Sequence, residues 1–327
     1  RVDEQAAALG SCVDKLFYLA TPPRFYGMIA GHIAASDLSV SCSDDMGWSR
    51  ILIEKPFGKD PESAEELEMQ LMKLFKPEQL FLIDHYLAKE TIQNILLFRF
   101  SNALFEPVWN SKSIERVEIK LHEEIGLEGR VTYYDGIGAL RDVGQSHLLQ
   151  MLALVAMEHP GELTTEAVRK ARERVLEDVR VSTSTPMIRG QYEGYTAEEG
   201  IDEASETETF FRIGAVVKNR RWKDTTFILQ SGKKLNERRA TISVYFREAE
   251  DTLCEGGTQC HMQNVLRFTI QPEEGIRLTF WSRKPGFSAE MEERTMSFAY
   301  DGEKAKASPD AYEYVLYRAL QGDQMLF

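Results

Sequence analysis

Over the first 84 positions, apolar residues come in short runs set between segments of helical spacing. The runs are 15–20, 50–53 and 80–83, and the helical segments are 24–35 and 61–75. Short buried strands alternating with helices point to a parallel α/β sheet. Such sheets bind ligands beyond the carboxyl ends of their strands. After Asp84 the pattern changes. Residues 89–100 read as a helix, and 115–123 alternate strictly: Val117, Ile119 and Leu121 face one way, Glu118, Lys120 and His122 the other. Residues 137–157 read as a long apolar helix and 165–176 as an amphipathic one. Residues 182–207 are polar and aperiodic, the pattern of a long surface excursion. A series of β-rich runs follows (209–217, 226–230, 240–247, 264–271 and 275–282), and a helix over 309–320 closes the chain. The expected fold class is α/β plus α+β. A partial Rossmann-type domain spans 1–84, and a domain with a large, mostly antiparallel sheet and helices spans 85–327.

The charge balance narrows the partners. With 39 basic and 52 acidic side chains the net charge is −13, so the surface repels nucleic acid and anionic membrane. An anionic ligand must therefore meet a local basic pocket. The longest apolar runs are too short to span a bilayer. Cys12, Cys42, Cys254 and Cys260 have neither zinc-site spacing nor disulfide density, so no metal site and a reducing compartment are expected. A dinucleotide domain normally opens with a strand, a glycine-rich loop and a helix. No such loop occurs in the sequence, so either this is not a dinucleotide domain or its first half lies upstream.

Three segments concentrate chemical groups. Ile53-Glu54-Lys55-Pro56-Phe57-Gly58 ends a predicted strand, where a Lys–Pro pair is a place for a cis peptide; the alternative is a plain turn with a solvated lysine. Ile83-Asp84-His85-Tyr86-Leu87-Ala88-Lys89-Glu90 places His85 and Lys89 four apart, on one face of a helix start. Two nitrogen donors, a tyrosine hydroxyl and a helix N-terminus suit a phosphate, whereas the plain reading is a solvated helix start capped by Asp84. In Gly138–Gln150, a period of 3.6 puts His147 on a face with Val143 and Met151. Such a histidine is either a packed core residue or a base titrating near neutrality.

In that order, Glu-Lys-Pro-Phe-Gly, Asp-His-Tyr-Leu-x-Lys-Glu and Arg-Asp-Val-x-Gln-x-His-Leu-Leu-Gln resemble the signature run of glucose-6-phosphate dehydrogenases. Leu19-Ala20-Thr21-Pro22-Pro23, Gly232-Lys233-Lys234-Leu235-Asn236-Glu237-Arg238, Gln271-Pro272 and Pro309-Asp310-Ala311-Tyr312 agree, and the resemblance runs over essentially the whole chain. It implies oxidation of glucose 6-phosphate to 6-phosphoglucono-lactone with hydride transfer to NADP, the first step of the oxidative pentose phosphate pathway. It also implies a cytoplasmic homodimer or homotetramer assembled through the large sheet. The sugar phosphate is implied at His85, Tyr86 and Lys89, with Lys233 and Arg238 alongside. Lys55 is implied between sugar and nicotinamide, Pro22 and Tyr26 on the coenzyme side, and Pro56 at a hinge. His147 corresponds to the general base and Asp84 to the carboxylate that orients it. Glu123 and Asp142 match groups that hold sugar hydroxyls, and Gln271 matches a further sugar contact. Glu123 also shares the apolar parity of its strand, where an acid needs a hydrogen-bonding partner.

Some positions depart from the family pattern. Ala88 stands where many relatives have glycine. Animal relatives bind a second, structural NADP through a row of cations; here Gln230, Ser243, Thr269 and Thr279 are neutral and Arg239 alone is basic, so no structural NADP is expected. With the phosphate loop upstream of Arg1 and a family segment beyond Phe327, the chain is expected to bind glucose 6-phosphate without turning it over. Two other readings remain. One is a dehydrogenase of the glucose–fructose oxidoreductase and inositol dehydrogenase group, which shares a Glu-Lys-Pro motif and a pattern like Gly138–His147. The other is a non-catalytic sugar-phosphate-binding module. The cationic Asp84–Glu90 segment argues against an unphosphorylated substrate.

Overall fold

In the computed structural model, the described residues are 12–42, 47–129, 131–248, 261–288, 290–299, 310–325 and 327. They open with β1 (Lys15–Leu19), α1 (Tyr26–Ala35), β2 (Ser49–Glu54), α2 (Pro61–Leu74), β3 (Leu80–Ile83), α3 (Glu90–Phe100) and β4 (Ile114–His122). A π-helical stretch, Leu140–Leu148, runs into α4 (Leu149–Ala156), followed by α5 (Thr165–Asp178), β5 (Val179–Val181) and β6 (Ile188–Gly190). Then come β7 (Phe210–Val217), β8 (Thr226–Gly232), β9 (Arg239–Phe246), β10 (Val265–Gln271), β11 (Gly275–Arg283), β12 (Met291–Ala299) and α6 (Ala311–Gln321). The chain divides into two units. One holds the residues up to Ala88 together with Asp310–Phe327; the other is Lys89–Pro309.

The first unit is built on a parallel sheet in the order β1-β2-β3. Ile51, Leu52 and Ile53 are all fully buried because both faces of β2 are covered, as an unbroken apolar strand requires. Ile51 and Ile53 pack with Tyr26, Ala30 and Ile33 of α1 and Leu71 of α2, while Leu52 packs with Ala311, Val315 and Ala319 of α6. The closing helix, expected with the second domain, thus belongs to the first unit. The Arg50 guanidinium fixes it there, donating to the Ala319 and Leu320 carbonyls at 2.7 Å each. Helix α2 starts at a capping box: Asp60 accepts from Ser63 N at 2.9 Å, and Ser63 Oγ accepts from Asp60 N at 3.2 Å. The cysteine reading needs correction. Cys12 and Cys42, 30 residues apart, are disulfide-bonded with Cα atoms at 6.1 Å. The parallel pairing that sets Lys15 against Ser49 brings their segments together, and this removes the cysteine argument for a reducing compartment. Cys254 and Cys260 lie outside the described residues.

The second unit carries a sheet in the order β12-β11-β10-β9-β4-β8-β7-β5, with β6 added on β7. Its pairings are antiparallel except β4 with β8. The excursion over 182–207 is less irregular than its composition suggests, since it contains β6 and a buried Tyr195. The long helix also differs from a uniform 3.6 period. Between Leu140 and Leu148 the turns widen, and Leu149 N donates to Gly144 O five residues back. Beyond it Met151–Met157 is buried throughout. A helix ending inside a core must find partners for its last carbonyls. Arg99 donates to the Leu154, Val155 and Met157 carbonyls at 2.9–3.1 Å. The indoles of Trp109 and Trp222 donate to Val155 O and Ala156 O at 2.8 and 2.7 Å.

Candidate active site

In the first unit the candidate residues follow the carboxyl ends of β2 and β3. Glu54 ends β2, and the Lys55–Pro56 peptide that follows is cis. The Glu54 carboxylate accepts a hydrogen bond from Tyr18 Oη at 2.6 Å and another from Tyr312. Burial, reinforced by Glu54, pushes both phenols above their ordinary range, so both stay protonated donors. Asp84 to Ala88 form successive turns: Leu87 N donates to Asp84 O at 3.0 Å and Ala88 N to His85 O at 3.3 Å. Asp84 Oδ1 accepts from Tyr86 N at 3.0 Å, the short-range bond by which aspartate diverts backbone from a helix. Helix α3 therefore starts only at Glu90, with Lys89 as its extended N-cap. His85 and Lys89 do not share the helical face that their spacing suggested. The His85 ring instead lies parallel to Tyr312 at 5.7 Å and tilted against Tyr86 at 5.0 Å. Ala88 is buried among Ile83 and Ala311.

Pro22 is exposed at the end of β1, whereas Tyr26, expected toward the coenzyme, is 1% exposed in the core beside Ile51 and Ile53. Burial raises its pKa to about 12.

In the second unit the chain beyond β4 and β8 brings two expected residues together. The register that sets His122 against Gly232 continues outward, with Glu123 N donating to Gly232 O at 2.9 Å and Leu235 N to Glu123 O at 2.9 Å. Glu123 and Lys233 thereby meet at 2.6 Å as an ion pair. The Lys233 ammonium also lies 5.4 Å above the Tyr134 ring. The cost of an acid on the apolar parity of β4 is offset by this lysine. The π-helical stretch packs against β4 and β8. It carries Asp142, half-buried, and His147, 3% exposed. A ladder closed every five residues turns Asp142 and His147, five apart, toward one face, whereas a 3.6 period sets them on different ones. Arg238 is exposed just before β9, and Gln271 ends β10 ahead of a cis bond to Pro272. On the outer sheet face, Gln230 bonds the His122 ring at 2.8 Å, Ser243 accepts from Arg267 at 3.1 Å, and Arg239 is paired with Glu237 at 2.8 Å.

Sequence reasoning missed several members of these clusters. Tyr18, Glu54 and Tyr312 lie far apart in the chain and meet only through the β1-β2-β3 sheet and α6. Asp135 is another. Its Oδ1 accepts from the hydroxyls of Ser205 at 2.5 Å, Thr207 at 2.8 Å and Tyr195 at 2.9 Å, and its pKa is depressed, chiefly by the Ser205 bond. Glu208 at the start of the long helix is a third. The partners of Asp135 come from the aperiodic excursion and Glu208 lies just past it, where no pattern marks a position.

A buried imidazole and a carboxylate turned toward one helical face, with a lysine–glutamate pair past the adjoining strands, are suited to proton removal from a hydroxylated, anionic ligand. The comparisons bear on which one. The family model described as "Glucose-6-phosphate dehydrogenase, NAD binding domain" matches residues 1–94, and "Glucose-6-phosphate dehydrogenase, C-terminal domain" matches 96–327. Glucose-6-phosphate 1-dehydrogenase 2 of Mycobacterium bovis is 39% identical over 349 residues, which is 99% of this chain and 68% of that one. The cytoplasmic glucose-6-phosphate 1-dehydrogenase 6 of Arabidopsis thaliana is 39% identical over 315 residues, 96% of this chain and 60% of that one. A solved glucose-6-phosphate dehydrogenase in complex with its substrate glucose 6-phosphate superposes with a TM-score of 0.89 at 35% identity, over 99% of this chain and 67% of that one. The chain spans about two thirds of the first and third of these and belongs to the glucose-6-phosphate dehydrogenase family.

Proposed function

We propose that this protein oxidises glucose 6-phosphate at C1 to 6-phosphoglucono-lactone with NADP as coenzyme, opening the oxidative pentose phosphate pathway. The observation that carries the reading is His147, buried on a widened helical turn with Asp142 on its face, on a unit that also presents the Glu123–Lys233 pair. The coenzyme would lie beyond the carboxyl ends of β2 and β3, where Lys55 falls, and nicotinamide would supply the hydride acceptor. His147 takes the proton of the C1 hydroxyl, a step that typically contributes about 10²–10⁴-fold. Glu123 and Asp142 accept hydrogen bonds from sugar hydroxyls, with Gln271 as a further contact. On the first unit His85 and Tyr86, and on the second Lys89, Lys233 and Arg238, are the residues proposed as phosphate contacts.

Among the described residues, no helix is long and apolar enough to cross a membrane. A cytoplasmic location is proposed from the Arabidopsis relative, which is named as cytoplasmic. Assembly through the large sheet is proposed from β12, which exposes Met296 and Phe298 on one side. A structural NADP is not proposed on the outer sheet face, where Gln230, Ser243 and Arg239 are already engaged.

Turnover measured as reduced nicotinamide, with glucose 6-phosphate and glucose compared at equal concentration, tests the reading. Reduction with the phosphorylated sugar and little with glucose is expected. Equal rates, or a preference for glucose, would count against it.

A further inference from the structure

The π-helical stretch begins at a glutamate from a distant part of the chain. Glu208 lies just past the polar excursion, is 8% exposed, and reaches the first turn of the helix with both carboxylate oxygens engaged. Oε1 accepts from Leu140 N at 3.1 Å, and Oε2 pairs with Arg189 at 3.1 Å. Its backbone carbonyl accepts from Ala139 N at 3.0 Å and from Tyr134 Oη at 3.2 Å. The first amides of a helix have no partner within it and favour a negative charge; this buried carboxylate supplies both. Gly138, with φ at +80°, sits where L side chains are strained, and a Cβ there would lie 2.5 Å from the Glu208 carboxylate.

The same dipeptide reaches the ion pair. Thr209 O accepts from Lys233 N at 2.9 Å, and the Tyr134 ring that bonds Glu208 O lies under the Lys233 ammonium. One end of the helix bearing Asp142 and His147 is therefore tied, through Glu208–Thr209, to the strand end bearing Lys233. The other end is held by Arg99, Trp109 and Trp222.

We propose that Glu208 is a positioning residue for the reaction: it sets the axial placement of the widened turn, and with it the distance of His147 and Asp142 from the Glu123–Lys233 pair. The proposal rests on the reading of His147 as the base. Displacing a reacting group by about 1 Å can cost on the order of 100-fold in rate, while a polyhydroxylated ligand held at several points loses little ground-state affinity.

Glu208→Ala, Glu208→Gln and Gly138→Ala in the whole protein, at saturating NADP, test it. Glu208→Ala should lower kcat by about tenfold to 100-fold with the glucose 6-phosphate KM within about threefold. Glu208→Gln keeps an acceptor for Leu140 N and should stay within about threefold of the parent. Gly138→Ala, which strains the backbone at φ +80° and crowds the carboxylate, should show a loss at least as large as Glu208→Ala. A Glu208→Ala protein of lower melting temperature but unchanged kcat, or a glutamine variant as slow as alanine, would overturn the proposal. If the parent itself does not oxidise glucose 6-phosphate, the functional reading fails, and amide exchange decides the positioning. Faster exchange at Leu140 to His147 in Glu208→Ala and not in Glu208→Gln upholds it; equal exchange in all three refutes it.

Discussion

The proposed chemistry rests first on one residue, His147. Its burial alone fits a packed core histidine; its place on a widened turn, one π-ladder step from Asp142, does not need that explanation. His147→Asn in the parent protein should cut kcat by about 10²–10⁴-fold with little change in glucose 6-phosphate affinity measured by calorimetry. A variant with near-parental turnover would remove the assignment. Asp135 yields a pH effect. Ser205 first, then Thr207, Tyr195 and the Gly136 amide hold its ionised form, so its folded pKa lies below the ordinary carboxylate value. A depressed carboxylate adds stability that is present above the unfolded pKa of about 3.9 and is lost as pH falls through the folded value. The stability gap between the parent and Asp135→Asn should therefore be constant from pH 7 to about 5 and shrink below about pH 4. Denaturant midpoints across that range check this, and a gap independent of pH would contradict it.

Among the elements, α4 carries the largest structural demand. An apolar helix buried on all sides cannot leave its last carbonyls to water, and three donors from separate parts of the chain serve them. Arg99 alone serves three carbonyls and pairs with Glu106 at 3.1 Å, which in turn binds Arg221 at 2.6 Å. Burial pulls the Arg99 pKa down to about 10, against the opposing pull of Glu106, so the guanidinium is still cationic at neutral pH. Arg99→Met keeps much of the volume but strands the Leu154 and Met157 carbonyls, while Val155 O keeps the Trp109 indole; each stranded acceptor costs about 1–3 kcal/mol. The expected loss is about 3–5 kcal/mol in urea unfolding. A loss below about 1 kcal/mol would mean that water or a neighbour replaces the guanidinium.

For the molecule as a whole, the two units follow different packing rules. The first is a parallel sheet covered on both faces, so its strands are apolar runs; the second alternates, as in β4 and β10, where one side is buried and the other is half-open. The far edge is less covered. Met296 and Phe298 on β12 are 61% and 55% exposed, and an apolar edge strand invites pairing or packing with another copy. Light scattering should report a dimer or larger species for the parent, and Met296→Glu with Phe298→Glu should shift it toward monomer without loss of secondary structure. A monomeric parent would rule out assembly through this sheet.

By itself the sequence determined the fold class and most of the strands, though not β5, β6 or β12, and it singled out the segments proposed to carry chemistry. Each of these is a local property: a period, an apolar run, or a string such as Asp84 to Glu90. It also set Glu123 on the wrong parity of its strand, a signal that the Glu123–Lys233 pair explains. Tertiary structure decided the rest. The turns at Asp84 to Ala88 replaced a helix because a side chain won the backbone amide, and the widened ladder replaced a 3.6 period where the helix is pinned at both ends. Cys12 met Cys42, α6 joined the first unit, and Glu208 reached Leu140 because contacts 30 to more than 200 residues apart leave no periodic trace for a reader of sequence to follow. What ties His147 to its surroundings is a set of single hydrogen bonds between distant segments, and only the folded backbone fixes their geometry.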